Sequence, residues 1–371
     1  MTETTVATTV PGGNFLSLET PVPIVDLDRL ERNLQRMASY AAQHGLALRP
    51  HVKTHKTPWI AARQVALGAV GLTCATSREA QEMSLVASDI LVAYPPVGSG
   101  RLHRLMSLPA DLRLTVALDS VQAVQGLADA ARAAGRRVGV YVELDFGMRR
   151  VGVATAAEAI DLARLVGREP SLEFRGIAFY PGHIRTGIDA QDEAISRLCA
   201  DVAATREAFT RAGIEVPVIS GGSTPTAWRA HETGATEVRP GTYAFNDRTT
   251  ALMGACAWDD CALTVLATVV STAVPGQAVI DAGSKALGRE PLRAEGDGFG
   301  VLMAHPDVVV KGMSEEHGLL DLSRSDWRPV VGDVVRVVPN HVCIVVHLND
   351  RLTGVRGDLV EREWPVAARG R

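Results

Sequence analysis

Between about Gly45 and Thr250 the chain repeats one pattern: a short apolar, β-branched run that ends in polar or Gly/Pro residues, followed by a stretch with helical apolar spacing. The runs are LALRPHVK, GLTCAT, DILVAYPP, LRLTVALD, VGVYVELD, EFRGIAFYPG, PVISGGST and TEVRPGTYAF, and Ala-rich stretches such as PWIAARQVALG and SREAQEMSLVA lie between most of them. The short runs predict strands and the 3.6-residue period predicts helices. Eight βα units in about 200 residues predict an α/β fold, a (β/α)8 TIM-type barrel, in preference to an open doubly wound sheet. After Thr250 the pattern changes. LTVLATVVSTAVPGQAVIDAG, DVVVKG, DVVRVVPNHVCIVVHL and LTGVRGDLVEREWPV are strand-rich with turn residues between them, which predicts a C-terminal β domain. The expected division is a barrel over 28–250 and a β domain over 251–371, the latter joined by 15–27 because PVPIVDL is expected to pair with it.

Composition narrows the partners. At 371 residues the chain exceeds what one core usually organises. Apolar residues make up 46%, charged residues 22%, and the formal net charge is -4, so nothing calls for a nucleic-acid or membrane-surface partner. No apolar run approaches the roughly 20 residues of a membrane helix. The start, MTETTVATTVPGGNF, has neither a basic nor an apolar signal region and reads as a frayed leader on a cytoplasmic protein. Five scattered cysteines form no disulfide framework.

In a barrel, catalytic side chains stand at the C-terminal ends of strands. The first strand ends in RPHVKTHK, with Lys53 expected to point into the mouth. Lys56, His51, His55 and Arg49 crowd it with charge of its own sign, which favours the neutral amine that forms a Schiff base with an aldehyde. The alternative is a solvated basic loop. SGGST, Ser220 to Thr224, ends the seventh strand and RPGTYAF, Arg239 to Phe245, the eighth; the last two loops of such barrels often hold a phosphate on backbone N–H groups. GMRRVG ends the fifth strand, where Arg150 suits a ring nitrogen or carboxylate and Arg149 suits solvent. Tyr180 and His183 end the sixth, an aromatic and a histidine fit for ring packing and proton transfer. A lysine, a phosphate cradle, an arginine and a His/Tyr pair around one mouth are what pyridoxal 5′-phosphate requires.

On these motifs the chain resembles the fold-type III pyridoxal-phosphate enzymes with an alanine-racemase-like barrel. Within them it is similar to the branch of D-threonine aldolase and eukaryotic-type D-serine dehydratase. The resemblance runs from TPVPIVDLDRLERNL through RPHVKTHKT, GMRRVGV, SGGST and RPGTYAF to DAGSKAL, EEHG and PNHVC. It implies that Lys53 carries the cofactor aldehyde, that Arg150 faces the pyridine nitrogen, and that Tyr180 lies against the ring. Gly221, Gly222, Ser223, Gly241 and Tyr243 would form the phosphate environment, and the enzyme would be a homodimer.

PNHVC adds a second centre. In an extended strand His341 and Cys343 point to one face, and imidazole plus thiolate suits zinc with positions left open. An H-x-C of this kind is usually two packed residues; the resemblance makes it the metal site, with manganese or magnesium as other candidates. His347, on the same face by parity, is expected to be structural. The resemblance implies a lyase on D-amino acids with a β-hydroxyl. Cys343, where the aldolases carry Asp, leans toward D-serine dehydratase-like loss of water to a 2-oxo acid and ammonia. The alternative is D-threonine aldolase cleavage to glycine and an aldehyde, with His51 or His183 taking the hydroxyl proton. A racemase is a further possibility, and a pyridoxal-phosphate carrier is disfavoured by the long β segment.

Overall fold

A computed structural model describes residues 12–370, so most of the expected leader lies outside the described residues. The chain divides into two units. One takes the chain up to Asn33, with Ala244–Leu252 and Cys256–Val366; the other comprises Leu34–Tyr243, Met253–Ala255 and Ala367–Arg371.

The second unit contains the barrel. Its strands are Ala47–Leu48, Leu72–Cys74, Asp89–Val92, Arg113–Leu118, Val138–Leu144, Leu172–Phe179, Val218–Gly221 and Glu237–Val238, one for each run read from the sequence. All neighbours pair in parallel, with the first strand beside the eighth. Between the first and second strands closure rests on a parallel bridge, His51 to Thr73, with the Thr73 amide donating to the Pro50 carbonyl at 2.8 Å. Period-two alternation sorts the strand side chains. Val92, Val116, Val140 and Ile177 pack outward into the large cluster shared with the helices, while Leu91, Ala117, Tyr141 and Ala178 form a smaller cluster of their own. Four of the helices start on side-chain caps: the hydroxyls of Thr57, Thr76, Ser120 and Thr155 each accept an amide of the first turn.

The first unit is built on a nine-stranded sheet. Its strand Leu263–Ser271 pairs antiparallel with Val22–Asp26, Gln277–Ile280 and Val334–Pro339, so PVPIVDL does pair with the strand-rich segment. The pairings Gln277–Ile280 to Gly318–Asp321, then Val309–Met313, Gly300–Leu302 and Val334–Pro339, close a six-stranded antiparallel ring through Leu263–Ser271.

One expectation fails here. The strand through DVVRVVPNHVCIVVHL stops at Pro339, and Val342–Leu348 is an α-helix. Pro339 is followed by Asn340 and His341, and then burial selects Val342, Val345 and Val346, all 0% exposed, at helical spacing. Tertiary packing of that face overrides the β preference of four branched residues. His347 lies one turn after Cys343 on this helix, exposed, rather than along a strand.

Among the described residues no helix is long and apolar enough to cross a membrane, and all five cysteines are free thiols.

Candidate active site and metal centre

The end of the first barrel strand turns into a short 3-10 helix, Val52–Thr54, whose N-cap is His51. The Lys53 amide donates to His51 Nδ1 at 3.4 Å, fixing the lysine backbone at the rim. The basic residues of RPHVKTHK then separate by partner. Arg49 points into the barrel and donates to Glu237 Oε2 and Asp89 Oδ1, each at 2.7 Å. Burial works against its charge, but these two carboxylates hold its proton above the ordinary range. Lys56 takes a left-handed backbone (φ 53°) and is buried, its Nζ 2.5 Å from Oε1 of the fully buried Glu79. Glu79 Oε2 in turn accepts the Ala75 amide, and the Lys56 carbonyl accepts the amide of Ala368. His55 is buried and neutral: Nδ1 accepts the Thr57 amide, and Nε2 lies 3.2 Å from Gln64 Oε1. Burial pushes its imidazole down to about 4. His51 is also pushed well down, by burial first and then by Lys53, Arg239 and Lys56.

Lys53 faces an aromatic ring instead of a carboxylate. Its Nζ lies 5.5 Å from the centroid of Tyr180, and the Arg150 guanidinium lies 4.9 Å from the same ring. Ends of the first, fifth and sixth strands therefore meet at one aromatic. Arg149 is exposed, in a left-handed conformation, with its amide on Asp145, in keeping with the solvent role expected for it. His183 is exposed and packs over Gly147, where an added Cβ would sit 2.9 Å from its Nε2.

At the ends of the seventh and eighth strands the backbone is bare. Gly222 adopts φ 91°, and a Cβ on Gly241 would come within 2.9 Å of the His51 carbonyl and of Thr54 Oγ1. Ser223 Oγ lies 3.0 Å from Thr226 Oγ1, and the Tyr243 amide donates to Thr224 Oγ1 at 3.2 Å. Gln64 Nε2 donates to the buried Tyr243 hydroxyl at 2.9 Å, which leaves the hydroxyl its own proton to donate. An amine, glycine backbone without side chains and an unspent hydroxyl donor fit a phosphorylated aldehyde.

Two inward groups escaped the sequence reading. Arg239 is buried and donates to Ser220 Oγ and to the Phe179 carbonyl, the latter at 3.0 Å. Glu143 is buried at the end of the fifth strand, its carboxyl raised by burial against the pull of Arg239 and Arg150. Alternation along VGVYVELD was the signal for Glu143, since it places Tyr141 and Glu143 on one face.

In the other unit His341 is the N-cap of the helix Val342–Leu348 and Cys343 lies in its first turn. The two still meet, through helix geometry rather than strand alternation, and their side chains hydrogen-bond. His341 Nδ1 lies 3.2 Å from Oδ2 of the fully buried Asp247. Asp247 Oδ2 also accepts the Val342 amide at 3.3 Å, and its Oδ1 accepts the Thr250 amide at 2.9 Å. Cys343 above all, with burial opposing and Asp247 adding, pushes the His341 imidazole up to about 11. The trio thus favours positive charge at one spot, which is the electrostatics a divalent cation needs. Among the described residues no group of three or more His, Cys, Asp or Glu side chains is arranged to hold a metal ion, so the chain itself offers two donors, His341 and Cys343. Asp247 lies 94 residues before His341, and no spacing announces it.

The fold and these sites define a class. The sequence matches the alanine racemase N-terminal domain family over residues 25–249, and a serine dehydratase domain over 262–355. The chain belongs to that family, within the fold-type III pyridoxal-phosphate enzymes. It is 34% identical to a D-threonine aldolase of Arthrobacter sp., over 97% of this chain and 95% of that one. It is 35% identical to a D-threo-3-hydroxyaspartate dehydratase of Delftia sp. strain HT23, over 89% and 92%. A solved D-threonine aldolase of Filomicrobium marinum superposes with a TM-score of 0.88 at 34% identity, covering 97% of this chain and 98% of that one. The solved forms of D-threo-3-hydroxyaspartate dehydratase include variants with a histidine and a cysteine, two positions apart, replaced by alanine, the cysteine variant in a metal-free form.

Proposed function

We propose that this protein is a pyridoxal-phosphate- and divalent-metal-dependent lyase for β-hydroxy D-amino acids that eliminates water, giving a 2-oxo acid and ammonia. The observation that carries the choice of outcome is Cys343 hydrogen-bonded to His341, the same two donors at the same spacing that the dehydratase variants alter. Lys53 would hold the cofactor, with Arg150 and Tyr180 at its ring and Gly221, Gly222, Ser223, Gly241 and Tyr243 about its phosphate. His341 and Cys343 would hold the metal, zinc by donor type, with Asp247 orienting the imidazole from behind. When bound, the cofactor supplies an electron sink at the substrate α-carbon and the metal a Lewis acid toward oxygen.

Lys53 Nζ takes the α-proton. His51, neutral and tied to the Lys53 amide through Nδ1, holds the lysine in place more than it moves protons. His183, exposed beside Gly147, is free to exchange a proton with the β-hydroxyl. The second reading is retro-aldol cleavage to glycine and an aldehyde, favoured by the 34% identity to D-threonine aldolase over nearly the whole chain. Incubation of the metal-loaded holoenzyme with D-serine, D-threonine and D-threo-3-hydroxyaspartate decides between them. 2-Oxo acid with equimolar ammonia supports elimination, glycine with an aldehyde supports cleavage, and turnover of L-isomers alone overturns both.

A further inference from the structure

A line of hydrogen bonds leads to His341 and takes in two thiols that the proposed reaction does not use. Cys261 is fully buried and donates its S–H to Cys256. Cys256 donates in turn to Thr250 Oγ1 at 3.7 Å, and the Thr250 hydroxyl donates to the carbonyl and Oδ1 of Asp247, each at 2.9 Å. Asp247 Oδ2 ends the line, 3.2 Å from His341 Nδ1.

The local backbone keeps the two sulfurs facing each other. Cys256 and Cys261 flank a single 3-10 turn, Trp258–Asp260. Asp260 Oδ2 accepts the Ala257 amide at 2.9 Å, and the Trp258 carbonyl accepts the Cys261 amide at 3.1 Å. Because the turn already brings its ends together, a bond between the sulfurs would order little further chain. The other three thiols are placed differently. Cys199 donates to the Glu232 carbonyl at 2.9 Å, Cys343 is hydrogen-bonded with His341, and Cys74 is buried in the barrel cluster. Cys256 is half-buried and so open to a small oxidant, whereas Cys261 is sealed behind it.

We propose that Cys256 and Cys261 are an oxidation site: hydrogen peroxide converts them to a reversible disulfide, and the change weakens metal holding at His341. The first half stands apart from the proposed function, and the second rests on its metal reading. Cys256 sulfur attacks the peroxide, the O–O bond breaks, and Cys256 becomes a sulfenic acid with release of one water. Cys261 sulfur then attacks Cys256 sulfur, the S–O bond breaks, and the hydroxyl leaves with the Cys261 proton as a second water. Two thiols are oxidised and one peroxide is reduced. Cys256 then has no S–H for Thr250, and the hydroxyl that binds Asp247 loses one of the contacts that fix it.

The test treats the zinc-loaded holoenzyme with a few equivalents of hydrogen peroxide and then alkylates it. Trypsin releases Thr249–Lys285, which holds Cys256 and Cys261 and no other cysteine. The peptide should be two hydrogens lighter than its reduced form and unalkylated, and dithiothreitol applied before alkylation should restore two alkylated thiols. Alkylation of both cysteines after peroxide, or a sulfinic acid at Cys256 beside an alkylated Cys261, overturns the disulfide. In a chelator competition the oxidised parent should hold zinc about 3- to 10-fold more weakly than the reduced one, while Cys256→Ser should be unchanged by peroxide. Equal zinc affinity in the two parent forms, or equal weakening in Cys256→Ser, overturns the coupling. If the reduced protein binds no zinc, the metal reading and the coupling fall together, and the peptide mass still decides the disulfide.

Discussion

Two stretches hold the residues proposed for the chemistry, and they handle charge in opposite ways. In Arg49–Lys56 the cations are dispersed: Arg49 goes to Glu237 and Asp89, Lys56 to Glu79, and Lys53 alone is left against an aromatic ring. In Pro339–Cys343 the donors are gathered, with His341 between Cys343 and Asp247. The amine proposed as the nucleophile is singled out by the pairing-off of its neighbours. The donors proposed for the cation are instead held against one another, with Asp247 also accepting the Val342 and Thr250 amides. A basic cluster in a sequence therefore says little until each member's partner is known.

The contrast is broken most sharply by removing one group from each stretch. Lys53→Ala is expected to abolish the borohydride-reducible visible absorbance of the holoenzyme and to lower turnover by about a thousandfold or more. Cys343→Ala is expected to lose bound metal and most turnover while keeping that absorbance. An absorbance retained in Lys53→Ala would move the cofactor to Lys56 or Lys285, both already paired with carboxylates here. Metal content unchanged in Cys343→Ala would remove the thiol from the site.

The dispersed charges are next. Glu79→Gln leaves the Lys56 ammonium buried without its counter-ion, an effect of about 3–5 kcal/mol on folding stability for a pair this secluded. Replacing both members, Lys56→Met with Glu79→Leu, should recover most of it. Urea midpoints of the three proteins measure the effect, and equal loss in the single and double variants would show that the pair itself is not what matters.

Much of the barrel was legible before any coordinates because its signal is redundant: eight apolar runs with polar ends fix eight strands, and the strand-end rule then places Lys53, Arg150, Tyr180 and the glycines without side-chain detail. The stretch proposed for the metal lacked that redundancy. VCIVVHL is apolar at six of seven positions, so neither period stands out, and only the buried set Val342, Val345 and Val346 reveals the helix. Asp247, Glu79 and Arg239 were out of reach for another reason, since their roles depend on contacts across 94, 23 and 19 residues respectively.

Within the first stretch, His55 gives the pH dependence of the dispersed arrangement. Its folded imidazole titrates near 4 against an ordinary 6.5, so between these values the unfolded chain binds more protons and stability falls as pH is lowered. The loss is on the order of 3 kcal/mol, begins near pH 6.5 and levels off below about pH 4. His55→Gln should flatten the slope of urea stability between pH 7 and 4.5, with His51 keeping part of it. A slope identical to the parent's would mean that His55 is charged in the fold.

The smallest effect tests the gathered arrangement from behind. Asp247 reaches the substrate nowhere in the proposed reaction; it accepts the Val342 amide and lies against His341 Nδ1, so its carboxylate fixes which ring nitrogen faces outward and adds negative charge to the trio. Asp247→Asn keeps the shape and the Thr250 contacts but removes the charge. Orienting carboxylates of this kind typically contribute about 10- to 100-fold in metal affinity. The variant should therefore bind zinc that much more weakly in a chelator competition and regain turnover at raised zinc, with kcat restored more fully than in Cys343→Ala. If added zinc restores nothing, Asp247 acts on the fold of the helix start instead of on the metal. If affinity is unchanged, the cation favoured at His341 owes its place to Cys343 alone.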